Sequence, residues 1–299
     1  MMDGTGVSND ITEENLGLFA HLNYAFTDRL NLIGGIRYDK DDVSLNKNSF
    51  GLKGDKSFSN ISPKIALEYK LTPSVMTYAT IAKGYKSGGY YALPTGIYPN
   101  TYDNETLWSY EGGVKSELLD KKLLLNASIF YIDMKDKQIM TAPDPMTTYI
   151  SNAASVTSYG FELDGSYKIT RNFDIFASFG YNKATFDEFE DMTGNYKDNS
   201  MPNAPEYSYS LGGIFRGFGG FYTSADIRGY AKSYSDSANT LCNKAYTLVN
   251  AKVGYEWDKF DLYLYAENLF DEKHDIMIQA TNIRLSPPRE IGIKLTYRF

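Results

Sequence analysis

Apolar and polar residues alternate with a period of two along most of the chain, in stretches joined by connections that are short, then long, then short again. The last ten residues are the clearest case. Ile291, Ile293, Leu295, Tyr297 and Phe299 share one face, while Glu290, Gly292, Lys294, Thr296 and Arg298 share the other. Successive side chains of an extended backbone point to opposite sides, so this predicts a strand with one apolar face. The same alternation runs through Leu123, Leu125, Ala127, Ile129 and Tyr131, through Phe173, Ile175, Ala177, Phe179 and Tyr181, and through Val249, Ala251, Val253, Tyr255 and Trp257. Aromatic residues close the apolar face at its ends. A strand crossing a bilayer needs that arrangement, an apolar band bounded by aromatic girdles at the water interfaces.

Tight turns are predicted at 27–29, 71–74, 119–121, 170–172, 217–220 and 257–259, where Gly, Pro, Asn and Asp supply hairpin geometry. Longer polar connections are expected at roughly 45–57, 87–104, 135–148, 187–205, 233–244 and 271–286. Between them lie about thirteen strands, near 15–27, 30–44, 58–71, 74–87, 106–118, 121–135, 149–169, 172–187, 206–216, 221–234, 245–257, 259–270 and 287–299. The reading is therefore all-β, a transmembrane antiparallel up-and-down β-barrel. Short turns mark the periplasmic side, where the C-terminal strand ends, and long loops the extracellular side. Residues 1–14 are expected to be a disordered lead and 15–299 barrel, with no signal peptide or long apolar helix.

Composition sharpens this. The 26 Tyr and 17 Phe against 2 Trp, with 25 Gly, suit pleated, half-buried surfaces. A net charge of −7 argues against a nucleic-acid partner, which needs a basic face. One cysteine, Cys242, leaves no internal disulfide and no cysteine-based zinc site, and is expected to be an inert loop thiol.

Five stretches then resemble a known family, the TonB-dependent outer-membrane receptors, and within it the ferric-siderophore receptors. They are YATIAKGYKSGGY at 78–90, YEGGVKS at 110–116, NAA at 152–154 with SYGFEL at 158–163, AENLFD at 266–271, and the terminal YRF at 297–299. The resemblance runs from about residue 15 to Phe299. It implies a 22-stranded barrel of which this chain carries about the last thirteen strands, with the plug domain and TonB box absent. It also implies a bacterial outer-membrane location and a parent that imports iron–siderophore complexes into the periplasm. The partners implied are outer-membrane lipid, a ferric siderophore, the TonB energy-coupling system acting through the missing N-terminal region, and the barrel-assembly machinery. Iron enters only as chelated substrate, with no resident cofactor or metal. The chain alone is expected not to be transport-competent.

The candidate ligand contacts lie in the long loops. Tyr90, Tyr91, Tyr98 and Tyr102 offer flat apolar faces with polar tips, suited to catecholate or hydroxamate chelates or, as loop packing, to one another. Met277 and Gln279 form a second candidate, beside His274, which lacks partners for metal ligation. Ile291, Ile293, Leu295, Tyr297 and Phe299 are the candidate membrane-assembly strand. Asp174, Asn182, Lys252, Glu256, Lys294 and Arg298 are expected to face the lumen. Three alternatives remain: a passive porin-like channel of about fourteen strands, a soluble β-sandwich or propeller, and an outer-membrane hydrolase. The last is opposed by having only His21 and His274 and no GxSxG or HExxH motif.

Overall fold

The computed structural model describes residues 9–48, 53–91, 101–144, 147–191, 193–278 and 283–299. Its body is one antiparallel sheet of thirteen strands, each paired with its neighbours in sequence. The strands are β1 (Asn9–Ala25), β2 (Leu30–Asn48), β3 (Gly54–Thr72), β4 (Val75–Lys86), β5 (Glu105–Leu118), β6 (Leu123–Asp144), β7 (Thr147–Lys168), β8 (Phe173–Glu188), β9 (Tyr207–Arg216), β10 (Phe221–Tyr230), β11 (Tyr246–Glu256), β12 (Phe260–Glu267) and β13 (Glu290–Tyr297). Among the described residues, β1 pairs only with β2 and β13 only with β12, so the sheet is open at both edges.

All six short turns lie at one end. At three of them a threonine shapes the bend: Thr27 Oγ1 accepts from the N–H of Arg29 at 3.1 Å, Thr72 from Ser74 at 3.1 Å and Thr170 from Asn172 at 3.1 Å. At the β9–β10 turn the chain passes through a 3-10 turn at Phe218–Gly220, where positive φ at Gly219 and Gly220 permits the reversal. At the other end, the connections carry small two-stranded ribbons, Gly89–Tyr90 with Thr101–Tyr102, Glu190–Asp191 with Gly194–Asn195, Ser233–Tyr234 with Cys242–Asn243, and Asp275–Ile278 with Ile283–Leu285.

Register aligns the apolar positions into one outer face. Across β6 to β9, Ile129 stands beside Phe161, Phe161 beside Tyr181, and Tyr181 beside Tyr207. Of these, Ile129 is 67 % exposed. Near the long-loop end lies an aromatic belt in which Tyr110 meets Tyr131, Phe161 meets both Phe179 and Tyr181, and Phe179 meets Tyr207, at centroid distances of 5.7–6.5 Å. A second belt near the short turns joins Phe215 to Phe221, Tyr255 to Trp257, Trp257 to Phe260, and Tyr297 to Phe299. On β7, Tyr159 and Tyr167 lie eight residues apart, about 26 Å of strand, or roughly 20 Å of height at a tilt near 40°. That approaches the apolar band of an outer membrane.

Two expectations need correction. Residues 9–14 are not a disordered lead; they form the start of β1, paired from Asn9↔Asn48 onward. The connections drawn at 45–57 and 135–148 are largely strand, because β2 and β3 run on to Asn48 and from Gly54, and β6 and β7 to Asp144 and from Thr147. These extensions rise beyond the upper belt, where water meets both faces and the period-two signal disappears. A buried side-chain core forms there: Ala154, Val156, Phe186 and Phe189, with Met134, Ile139, Tyr196 and Met201 packed against it.

Candidate functional site

The inner, concave face carries the complementary set of residues. Asp174, Asn182, Lys252, Glu256, Lys294 and Arg298 all fall on it, as the alternation predicts. Ion pairs cross the strands at its lower end, Arg216–Asp174 at 3.3 Å and Arg298–Asp261 at 2.5 Å. Lys252 Nζ sits 3.9 Å from the Tyr263 ring centroid and 4.7 Å from that of Tyr222, and the Tyr263 hydroxyl donates to Glu256 at 2.6 Å. Several rings lie flat over glycines of the adjoining strand. A Cβ on Gly212 would come within 2.4 Å of the Phe176 ring, and one on Gly160 within 2.8 Å of Phe130. Glycine is needed at both places: the ring fills the space at Gly212, while at Gly160 a Cβ would first meet the Tyr181 carbonyl oxygen at 1.9 Å. The inner wall is thus a mosaic of charge and flat aromatic surface. Phe19, paired with Arg37 on this face, is 76 % exposed.

Where the rim meets β4 and β5, the structure clamps the loop at 87–104 by its root. Glu105, buried, accepts from Lys137 Nζ at 2.8 Å and from the Gln138 N–H at 3.1 Å. Gln138 Nε2 donates to the carbonyls of Ser87 and Asp103. Asn152 binds both backbone groups of one residue: its Oδ1 accepts from Asp103 N at 2.8 Å and its Nδ2 donates to Asp103 O at 2.7 Å, with a further bond to Asp136 O. Tyr90 and Tyr102 come together in the small ribbon, Tyr90 opposite Thr101 and Tyr102 opposite Gly89. Both are half-buried, and burial, aided by Asp55 and Glu13 respectively, pushes both hydroxyl pKa values up. Tyr91 follows, also half-buried, and Tyr98 lies outside the described residues.

The opposite part of the rim, around β10 to β13, is built differently. Asn268, at φ 49°, ends β12 and ties the following loop: its Oδ1 accepts from Glu272 N at 2.8 Å and its Nδ2 donates to Glu272 O at 2.9 Å. Asparagine tolerates this left-handed turn better than most residues. Beyond it His274 stacks on Tyr246, with ring centroids 3.7 Å apart and planes 10° apart, and Tyr246 meets Tyr230 across β10–β11 at 5.2 Å. Burial holds the His274 imidazole below its ordinary pKa despite Glu272 and Asp275 nearby, and its Nδ1 has no hydrogen-bond partner. A recess of about 930 Å³ lies beside this stack on the inner wall, lined among others by Asp226, Arg228, Tyr230, Asn250 and His274. A smaller one of about 320 Å³ is lined by Tyr207, Tyr209, Tyr230, Tyr246 and Glu272.

Met277 falls in the ribbon Asp275–Ile278 of this same rim, and Gln279 lies outside the described residues. Sequence reasoning passed over Tyr230 and Tyr246. The signal that could have found them is a tyrosine at the long-loop end of each of two adjacent strands. Cys242 is exposed and free in its ribbon. His21 lies on the inner face of β1, far along the sheet from His274, and no group of three or more His, Cys, Asp or Glu able to hold a metal occurs among the described residues. Ile291, Ile293, Leu295, Tyr297 and Phe299 project from the outer face and are exposed, Ile293 at 73 %.

Comparison with known proteins agrees with this architecture. A family model described as TonB dependent receptor-like, beta-barrel, matches residues 2–269. The pesticin receptor of Yersinia pestis is 27 % identical over 275 residues, 88 % of this chain and 40 % of the relative. The metal-pseudopaline receptor of Pseudomonas aeruginosa is 27 % identical over 282 residues, 89 % of this chain and 38 % of the relative. Among solved structures, the ferric yersiniabactin uptake receptor of Yersinia pestis superposes with a TM-score of 0.82 at 23 % identity, covering 97 % of this chain and 46 % of that one. The chain therefore spans about 40 % of the length of the curated relatives it matches.

Proposed function

Because the chain belongs to the TonB-dependent receptor-like β-barrel family, whose members are receptors of the bacterial outer membrane rather than enzymes, we propose that it forms part of the wall of a receptor importing iron–siderophore complexes into the periplasm. In this reading the outer belts sit at the two lipid interfaces, the clamped loops admit the chelate, and uptake is driven through TonB. Iron is cargo held by its chelator, so the protein needs no metal site of its own. The exposed apolar face of β13, ending on Phe299, is what the barrel-assembly machinery would recognise before lipid covers it.

One observation carries this over a passive channel: the aromatic share of the inner wall. A water-filled pore is lined by polar and charged groups. Here Phe19, Phe130 and Phe176 face inward between the charges, which suits contact with another protein surface or an organic chelate.

The test is uptake of radio-iron chelates by cells producing the protein from its own gene, with and without a protonophore. Saturable uptake that stops when the proton gradient collapses is the expected result. Entry that rises in proportion to concentration and ignores the protonophore would overturn the reading.

A further inference from the structure

The β10–β13 rim brings aromatic rings from three elements into one arrangement. Tyr230 and Tyr246 face one another on the inner wall, and His274 arrives from the β12–β13 connection to lie flat on Tyr246. Three rings from three elements thus form one ladder, with a recess on either side. Two positions before Tyr230 on the same strand face stands Arg228, its Nε given to Asp226 at 2.9 Å. Its terminal nitrogens make no hydrogen bond among the described residues, and the side chain is 56 % exposed.

We propose that this ladder, with Arg228, is a subsite for planar aromatic anions, the phenolate or catecholate arms of a metal chelate, in preference to aliphatic hydroxamates. The inference rests on the receptor reading and deepens it. A planar ring can extend the stack at the separations aromatic pairs prefer, about 4.5–7 Å between centroids. An aliphatic arm gains only contact area there. The free fork of Arg228 matches the negative oxygens of such a ring and can bind two of them at once. The larger recess falls in the size range of small-molecule sites, about 300–1,000 Å³.

The experiment is equilibrium dialysis on the full chain folded into lipid vesicles, with two probes: radio-iron complexed by 2,3-dihydroxybenzoate, and radio-iron complexed by acetohydroxamate. The catecholate probe is expected to bind about tenfold more tightly than the hydroxamate. Tyr246→Ala and Arg228→Gln should each weaken catecholate binding about tenfold, Tyr246→Phe should restore it, and Cys242→Ser, on a neighbouring ribbon, should leave it unchanged. Heat-modifiable migration of each variant confirms folding. Equal binding of both probes, or undiminished catecholate binding by folded Tyr246→Ala, overturns the subsite. Hydroxamate binding that Tyr246→Ala abolishes overturns the ligand class. Should wild type bind neither probe while energised uptake still occurs in cells, this subsite fails and the receptor reading stands. If uptake also fails, both fall.

Discussion

β6, β7 and β8 pass through two regions held together by opposite means. Between the aromatic belts, their outer side chains are left open: Leu125, Ile129 and Leu163 are all exposed. There the sheet is held by its hydrogen-bond ladder. Above the upper belt the same strands bury Val156 and Phe186 completely, each 0 % exposed, with Phe189 and Tyr196 stacked alongside. Thr157 donates to Asp187 at 2.7 Å in this upper part, and Tyr196 N donates to Phe189 O at 2.8 Å. The lesson is that an apolar residue on these strands means two different things. In the band it is a solvent-matching group, tolerant of shape and intolerant of charge. In the crown it is a packed core group, sensitive to volume.

Phe186→Ala should have the largest effect, about 3–5 kcal/mol of local stability. It should appear as faster amide exchange across 134–141 and 186–201, with heat-modifiability of the barrel unchanged. Loss of barrel stability would break the division between the regions. Ile129→Arg tests the other side. A charge facing mid-bilayer should destabilise the inserted barrel by about 2–4 kcal/mol, read by denaturant unfolding in vesicles, while crown exchange rates stay as they were.

Asn152→Ala should cost less, about 1–2 kcal/mol for the lost hydrogen bonds. Its mark is selective proteolysis within 87–104, and an unchanged cleavage pattern in the variant would show that the Glu105 and Gln138 contacts suffice. Smallest is a pH response at His274. Its folded pKa lies below the ordinary value near 6.5, so the stacked form is favoured above that pH. The advantage is lost as pH falls from about 6.5 toward the folded pKa. In the NMR spectrum the His274 imidazole should titrate below its ordinary value, and Tyr246→Ala should shift it.

The band was readable from sequence because a membrane strand repeats one physical demand at every second residue. Ile291, Ile293 and Leu295 announce it without reference to anything distant. The crown was not readable in this way. At 135–148 the demand changes from strand to strand, and residues such as Gln138 and Asn152 act through single hydrogen bonds to a remote peptide. The NAA stretch was recognisable as a family signature before its purpose was visible, and the structure shows Asn152 clasping Asp103. The aromatic ladder was hidden for a third reason. Tyr230, Tyr246 and His274 lie 16 and 28 residues apart, and only the register of β10 on β11 and the turn at Asn268 bring them together.

The meander has a kinetic corollary. Since every strand of the main sheet binds its sequence neighbour, the ladder can grow by hairpins, each closing a short stretch of chain at small entropic cost. Topologically such a wall is modular. Removing one hairpin leaves every other pairing intact and creates a single new seam, so the circumference of a barrel built this way could change over evolutionary time in steps of two strands, without redesign of the remainder.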